Sequence, residues 1–99
     1  MAEVAFEDKG AGRFRVSGSL SFTTVSKALV ESRELFADHK RIELDLGGVD
    51  GTDSAGLALL VEWVGWAHRE KRKLLFHHLP AQAHALACIS EVDKLLPSS

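Results

Sequence analysis

A change of period near the middle of the chain constrains its fold more than any other feature. Ile42-Glu43-Leu44-Asp45-Leu46 alternates strictly, which puts Ile42, Leu44 and Leu46 on one side of a strand. Asp53 and Ser54 then offer N-cap side chains, and apolar residues recur at helical spacing from about Ala55 to about Glu70. A second apolar run of strand length, Lys73 to His77, follows. Strand, long helix, strand demands a crossover and a sheet with parallel members. Gly47-Gly48-Val49-Asp50-Gly51-Thr52, between the strand and the helix, reads as a loop by composition.

The flanking segments complete an α/β layer. Val4 to Asp8 and Arg13 to Leu20 alternate around Lys9-Gly10-Ala11-Gly12, the pattern of an opening β-hairpin. From Thr23 or Thr24, a plausible N-cap, Val25, Ala28, Leu29, Ser32, Leu35 and Phe36 mark one face of a helix. Pro80 starts a third helix through about Ile89, and Val92 to Leu96 forms a short last element. The expected order is β-β-α-β-α-β-α in one domain over residues 1–99, with helices packed on a mixed sheet of four to five strands.

Composition narrows function. With 99 residues, 45% of them hydrophobic and 26% charged, the chain suits one small globular core. Twelve basic against 14 acidic side chains give a net charge of −2, which argues against a dedicated nucleic-acid binder. A lone Cys88 cannot form an internal disulfide, no apolar run approaches the ~20 residues of a bilayer span, and no signal segment opens the chain. These traits point to a cytoplasmic binding module.

The segment Val49 to Leu57 carries most of the functional information. It joins a strand to a helix start, whose free N–H groups attract anions and whose caps are Asp53 and Ser54. Capping alone accounts for these residue types; an exposed recognition loop is the sharper alternative. Asp53-Ser54-Ala55-Gly56-Leu57 resembles the Asp-Ser-Ser/Thr-Gly-Leu signature of STAS domains, the anti-sigma-factor-antagonist fold. The element order resembles that family over nearly the whole chain. The run Asp53 to Leu60 and the tail Leu95-Leu96-Pro97 are similar to the MlaB group, STAS subunits of Mla phospholipid-transport ABC complexes.

That resemblance implies a non-catalytic subunit without a cofactor. Its partner would be the ABC ATPase of a lipid transporter, which would bring it to the inner membrane, and Ser54 would contact the ATPase. Regulatory STAS proteins are similar but carry their phospho-acceptor hydroxyl directly before the glycine. Here that residue is Ala55, with no oxygen to phosphorylate. An anti-sigma-factor antagonist, binding a serine kinase or anti-sigma factor, is the alternative that Ala55 disfavours; Ser54, one residue before the usual position, is disfavoured as a substitute acceptor.

The long helix presents two apolar stripes. At about 100° per residue, Leu57, Leu60, Val61, Val64 and His68 cluster on one side and Leu59, Trp63 and Trp66 roughly opposite. Either a neighbouring helix covers the tryptophans, or Leu59, Trp63 and Trp66 dock on a partner beside Thr52, Asp53 and Ser54.

Other chemistry is weakly signalled. His77 and His78 are neighbours in a strand and should face opposite ways, which disfavours a shared metal. Ser54 has no nucleophile elbow around it, so no catalytic residue is assigned. Cys88 lies in an Ala-rich run and suits a core position. The basic run His68 to Lys73 suits a solvated helix end or a contact with an anionic partner.

Overall fold

Period-two burial marks each strand, and the helices between them cover one side of the sheet. The computed structural model describes residues 3–99. The chain runs β1 (Ala5–Gly10), β2 (Arg13–Leu20), α1 (Val25–Phe36), β3 (Arg41–Thr52), α2 (Ser54–Arg69), β4 (Lys73–His77) and α3 (Ala81–Ile89), then a 3-10 turn at Asp93–Leu95. The sheet has four strands in the order β1-β2-β3-β4, at the lower end of the expected range. β1 pairs antiparallel with β2, while β2, β3 and β4 are parallel.

Phe14, Val16, Ile42, Leu44, Leu46, Leu74 and Phe76 point into the core. Arg13, Arg15, Arg41 and Lys73 point to the opposite, open face. At the free side of β4, the Phe76 N–H donates to the Pro97 carbonyl (2.8 Å) and the Ser99 N–H to the Phe76 carbonyl (2.9 Å). The C-terminal segment thereby covers part of an edge that would otherwise be unpaired.

β3 is longer than its alternating core. The glycine-rich stretch from Gly47 to Thr52, expected as a loop, continues the strand and pairs with the second half of β2, from Ser17↔Gly48 to Leu20↔Thr52. Two register shifts interrupt this pairing. A Cβ on Gly48 would sit 2.9 Å from Ser17 Cβ and 3.0 Å from the Val16 carbonyl oxygen. Glycine here marks close backbone approach beside an irregularity, not a flexible connection. Only Asp53 separates β3 from α2.

The buried arc of α2 differs from the expected pair of stripes. Gly56, Leu57, Leu59, Leu60, Trp63 and Ala67 are all buried. On a helical wheel they span roughly 160°, centred between the two stripes. The helix meets the sheet along Gly56, Leu60, Trp63 and Ala67, and the stripes are the shoulders of one contact. Leu59 and Trp63 are therefore core residues, 4% and 2% exposed, which corrects the expectation that they form a free docking face. The Trp63 ring lies edge-on to Phe6 (6.1 Å) and Phe36 (5.8 Å), and its Nε1–H donates to Ser32 Oγ at 2.8 Å. Ser32 is buried too, and its hydroxyl donates onward to the Leu29 carbonyl (2.8 Å), so this polar pair is satisfied.

The basic run after α2 ties the layer together. Arg72 Nη1 donates to the carbonyls of Phe36 (2.8 Å), Ala37 (2.7 Å) and His39 (2.9 Å). It thus serves as a cap for the C-terminal end of α1, whose last carbonyls lack helical partners. The same guanidinium lies 5.0 Å above the half-buried Trp66 ring. Arg72 is a structural clamp inside a run that otherwise stays in solvent.

Candidate functional site

Asp53 organises the surface around the start of α2. Its backbone is extended (φ −110°, ψ −168°), which lets the side chain fold back over the first helical turn. Oδ1 accepts from the Gly56 N–H at 3.0 Å, and Oδ2 accepts from the Phe22 N–H at 3.1 Å. One carboxylate thus caps α2 and fastens the β2–α1 connection to it. These backbone donors, Gly56 first and Phe22 second, hold the Asp53 pKa below its ordinary value. The negative charge already occupies the helix N-terminus, so the expected attraction for an outside anion is met internally.

Gly56 fixes how close that end of α2 lies to β2. A Cβ there would collide with the Leu20 carbonyl oxygen and come within 2.9 Å of Leu20 Cβ and Thr52 Cγ2. The same Leu20 carbonyl accepts the Asp53 N–H at 3.2 Å. Asp and Gly in the Asp-Ser-Ala-Gly-Leu run therefore build the platform, and the residues between them are free to face outward.

Thr52 lies underneath and is not on the surface. It is 6% exposed, its Oγ1 has no hydrogen-bond partner, and its N–H donates to Gln82 Oε1 at 3.1 Å, which anchors the start of α3. Its expected place in a partner-binding surface is corrected on that ground. Ser54 is exposed, one residue beyond the cap. It stands at one end of a groove of about 350 Å³ lined by Ala58 and Val61 of α2 and by Leu86, Ser90 and Val92 beyond.

Large apolar side chains reach solvent away from the tryptophan stripe and outside the groove lining, at Phe22, Val30, Ile89 and Leu95. Ile89 at the end of α3 is 80% exposed and Phe22 beside Asp53 is 81% exposed. Neither residue was marked by helical or strand periodicity, because one ends a short helix and the other stands alone in a Ser/Thr-rich connection. The available signal was a large apolar residue in an otherwise polar loop, Ser21-Phe22-Thr23-Thr24. Trp66 is half-buried at the α1–α2 seam, 5.9 Å from Phe36, and apart from the groove.

The remaining candidates separate into local pairs. His77 Nε2 lies 2.7 Å from Glu43 Oε1, and His78 Nδ1 lies 2.8 Å from Asp45 Oδ1. Both imidazoles sit on the open face of the sheet, contrary to the expectation of opposite faces. His78 follows the last strand residue and has φ of 56°, a left-handed turn that swings its side chain back. The bond to His77 is the main cause lowering the Glu43 pKa; Asp45 is lowered chiefly by the Gly47 N–H and then by His78. Among the described residues no three His, Cys, Asp or Glu side chains are grouped to hold a metal. Cys88 is exposed on α3, with His84 Nε2 3.8 Å from its sulfur, so it is a surface thiol and not a core residue.

Comparison with known proteins places this geometry. A family model described as "Mlab, STAS domain" matches residues 4–97. The fold resembles the unphosphorylated anti-sigma factor antagonist SpoIIAA, with a TM-score of 0.72 and 10% identity over 97% of this chain and 87% of that one. The phosphorylated form of the Bacillus cell fate determinant SpoIIAA gives 0.69 and 10%, over 97% and 90%. An anti-sigma factor antagonist from Mycobacterium paratuberculosis gives 0.73 and 18%, over 99% and 85%. No curated protein sequence matches significantly.

Proposed function

The chain belongs to the MlaB-type STAS domains, and from that premise we propose that it is a non-catalytic subunit binding the ABC ATPase of an Mla-type phospholipid transporter. In this reading residues 1–99 form one STAS domain and reach the cytoplasmic side of the inner membrane through the partner. Among the described residues no helix is long and apolar enough to cross a membrane.

The observation that carries the proposal is Ala55. The side chain directly before Gly56 lacks an oxygen, so the covalent switch of a phosphorylated antagonist has no acceptor at its usual place. What remains is a constitutive docking surface. In this reading its centre is the groove of Ser54, Ala58, Val61 and Leu86, and it extends to Phe22, tied to Asp53, and to Ile89, the chain neighbour of the groove residue Ser90. Asp53 positions this surface without contacting the partner. Trp66 is left at the margin, and Leu59 and Trp63 support α2 from below. Burying two large exposed side chains contributes binding energy where water is best excluded. Occupying one surface of the ATPase would favour its assembled, active dimer.

A second reading, an anti-sigma-factor antagonist, draws on one feature: the Ser54 hydroxyl is exposed and next to the usual acceptor position. Purification of the tagged protein from its native cell separates the two. Recovery of an ABC ATPase with a permease supports the first. Recovery of a serine kinase, with a mass gain of about 80 Da that Ser54→Ala removes, supports the second and refutes the first.

A further inference from the structure

The open face of the sheet carries two kinds of charge. Across its middle, cations and imidazoles face acids: Arg15 lies 3.6 Å from Asp45, His77 2.7 Å from Glu43 and His78 2.8 Å from Asp45. At the starting ends of β3 and β4 this pattern stops. Arg41 and Lys73 stand directly opposite each other in the parallel register, both exposed, and neither forms an ion pair among the described residues. Like charges facing each other across neighbouring strands destabilise a sheet. The Lys73 N–H donates to the Lys40 carbonyl at 2.8 Å, which brings Lys40 and the Lys71 turn to the same end.

A cavity of about 310 Å³ opens there, between Arg41 and Lys73, with Leu75 as its aliphatic wall; Ile42 and Leu74 border it from the strands, their side chains turned into the core. No carboxylate lines it. Glu43, next along the same face, gives its strongest interaction to His77 and feels Arg41 only as a weaker influence. Two cations without an ion-pair partner, beside the aliphatic wall of Leu75, suit an anion joined to an apolar group.

We propose that this cavity binds a phosphate group carried on a partly apolar molecule, with Arg41 and Lys73 as the direct contacts and Lys40 and Lys71 adding to the local field. Arg presents a planar fork to phosphate oxygens and Lys a point charge. The site lies at the opposite end of β3 from Ser54, in a domain whose longest extent is 32 Å, so it is separate from the docking surface. Both can be occupied together.

The test has two arms, run on the full chain at low salt with wild type and the Arg41→Gln/Lys73→Gln double variant. Inorganic phosphate, followed by amide NMR, is expected to shift residues 40–42 and 71–75 in wild type and not in the double variant. Neutralising two facing cations removes a repulsion, so the variant should melt no lower than wild type. If it does not fold, Lys73→Gln alone carries the test, with an expected loss of about fivefold in phosphate affinity. Sedimentation with phosphatidylcholine vesicles, with and without phosphatidylglycerol, then identifies the source. Binding only to the anionic vesicles assigns a lipid headgroup; phosphate shifts without vesicle binding assign a soluble phosphate ester. Shifts that are absent, that survive in the variant, or that spread equally to Lys27 and Lys94 would overturn the proposal.

Discussion

Replacing Gly56 by alanine tests whether the glycine of the Asp-Ser-Ala-Gly-Leu run is a structural requirement of this fold. In a solvent-exposed helix the change would stabilise by about 1 kcal/mol, because glycine is the poorer helix former. Here the new methyl collides with the Leu20 carbonyl oxygen and crowds Leu20 Cβ and Thr52 Cγ2 at 2.9 Å. The carbonyl is backbone and cannot rotate away, so the first turn of α2 must lift. Overpacking of this kind costs about 1–3 kcal/mol. Lifting the turn also weakens the Asp53 cap and its bond to the Phe22 N–H, which adds to the loss. The net expectation is a loss of about 1–3 kcal/mol, or a melting temperature lower by roughly 5–20 °C for a domain of this size. Urea denaturation with Ser54→Ala as the companion variant reads it directly. Ser54 is exposed, so its substitution should stay within about 0.5 kcal/mol of wild type. Equal or greater stability for Gly56→Ala would refute the close-approach argument and make the glycine a matter of recognition instead.

Further expectations follow from the same contacts. Trp63→Ala should cost about 3–5 kcal/mol in urea denaturation, because it empties the α1–α2 seam and removes the donor to Ser32; a variant that stays as stable as wild type would put Trp63 outside the core. Arg72→Ala should cost about 2 kcal/mol by freeing the carbonyls of Phe36, Ala37 and His39, and Arg72→Lys should recover only part of it. Asp53 has a depressed pKa in the folded state, so its stabilising effect is complete above the ordinary value of 3.8 and is lost as pH falls through the lower folded one. The gap in stability between wild type and Asp53→Ala should therefore close on acidification through that window, and a gap constant in pH would remove the cap from the account.

The element order was legible because each strand and helix repeats its apolar residues at its own period. Legibility ended where packing, not periodicity, decides. Gly47, Gly48 and Gly51 have the composition of a loop, yet pairing with β2 keeps this stretch in the strand, with Gly48 pressed against the β2 backbone. The contact centre of α2 includes Gly56 and Ala67, small residues that carry almost no hydrophobic weight, so the stripes of larger residues on either side looked like separate faces. His78 could not be oriented without knowing its left-handed backbone. In the candidate site, Asp53 and Ser54 were readable as cap and exposed hydroxyl. Phe22 and Ile89 were not, since no period singles out one apolar residue in a loop or at a helix end.

Binding of the purified transporter ATPase to wild type and to Ile89→Glu, measured side by side by calorimetry, tests the central claim most directly. Ile89 is exposed and outside the core, so the variant should unfold within about 0.5 kcal/mol of wild type. The account predicts that wild type binds and that Ile89→Glu, equally stable, loses at least about tenfold in affinity. No binding by wild type, or unchanged binding by the variant, would contradict it.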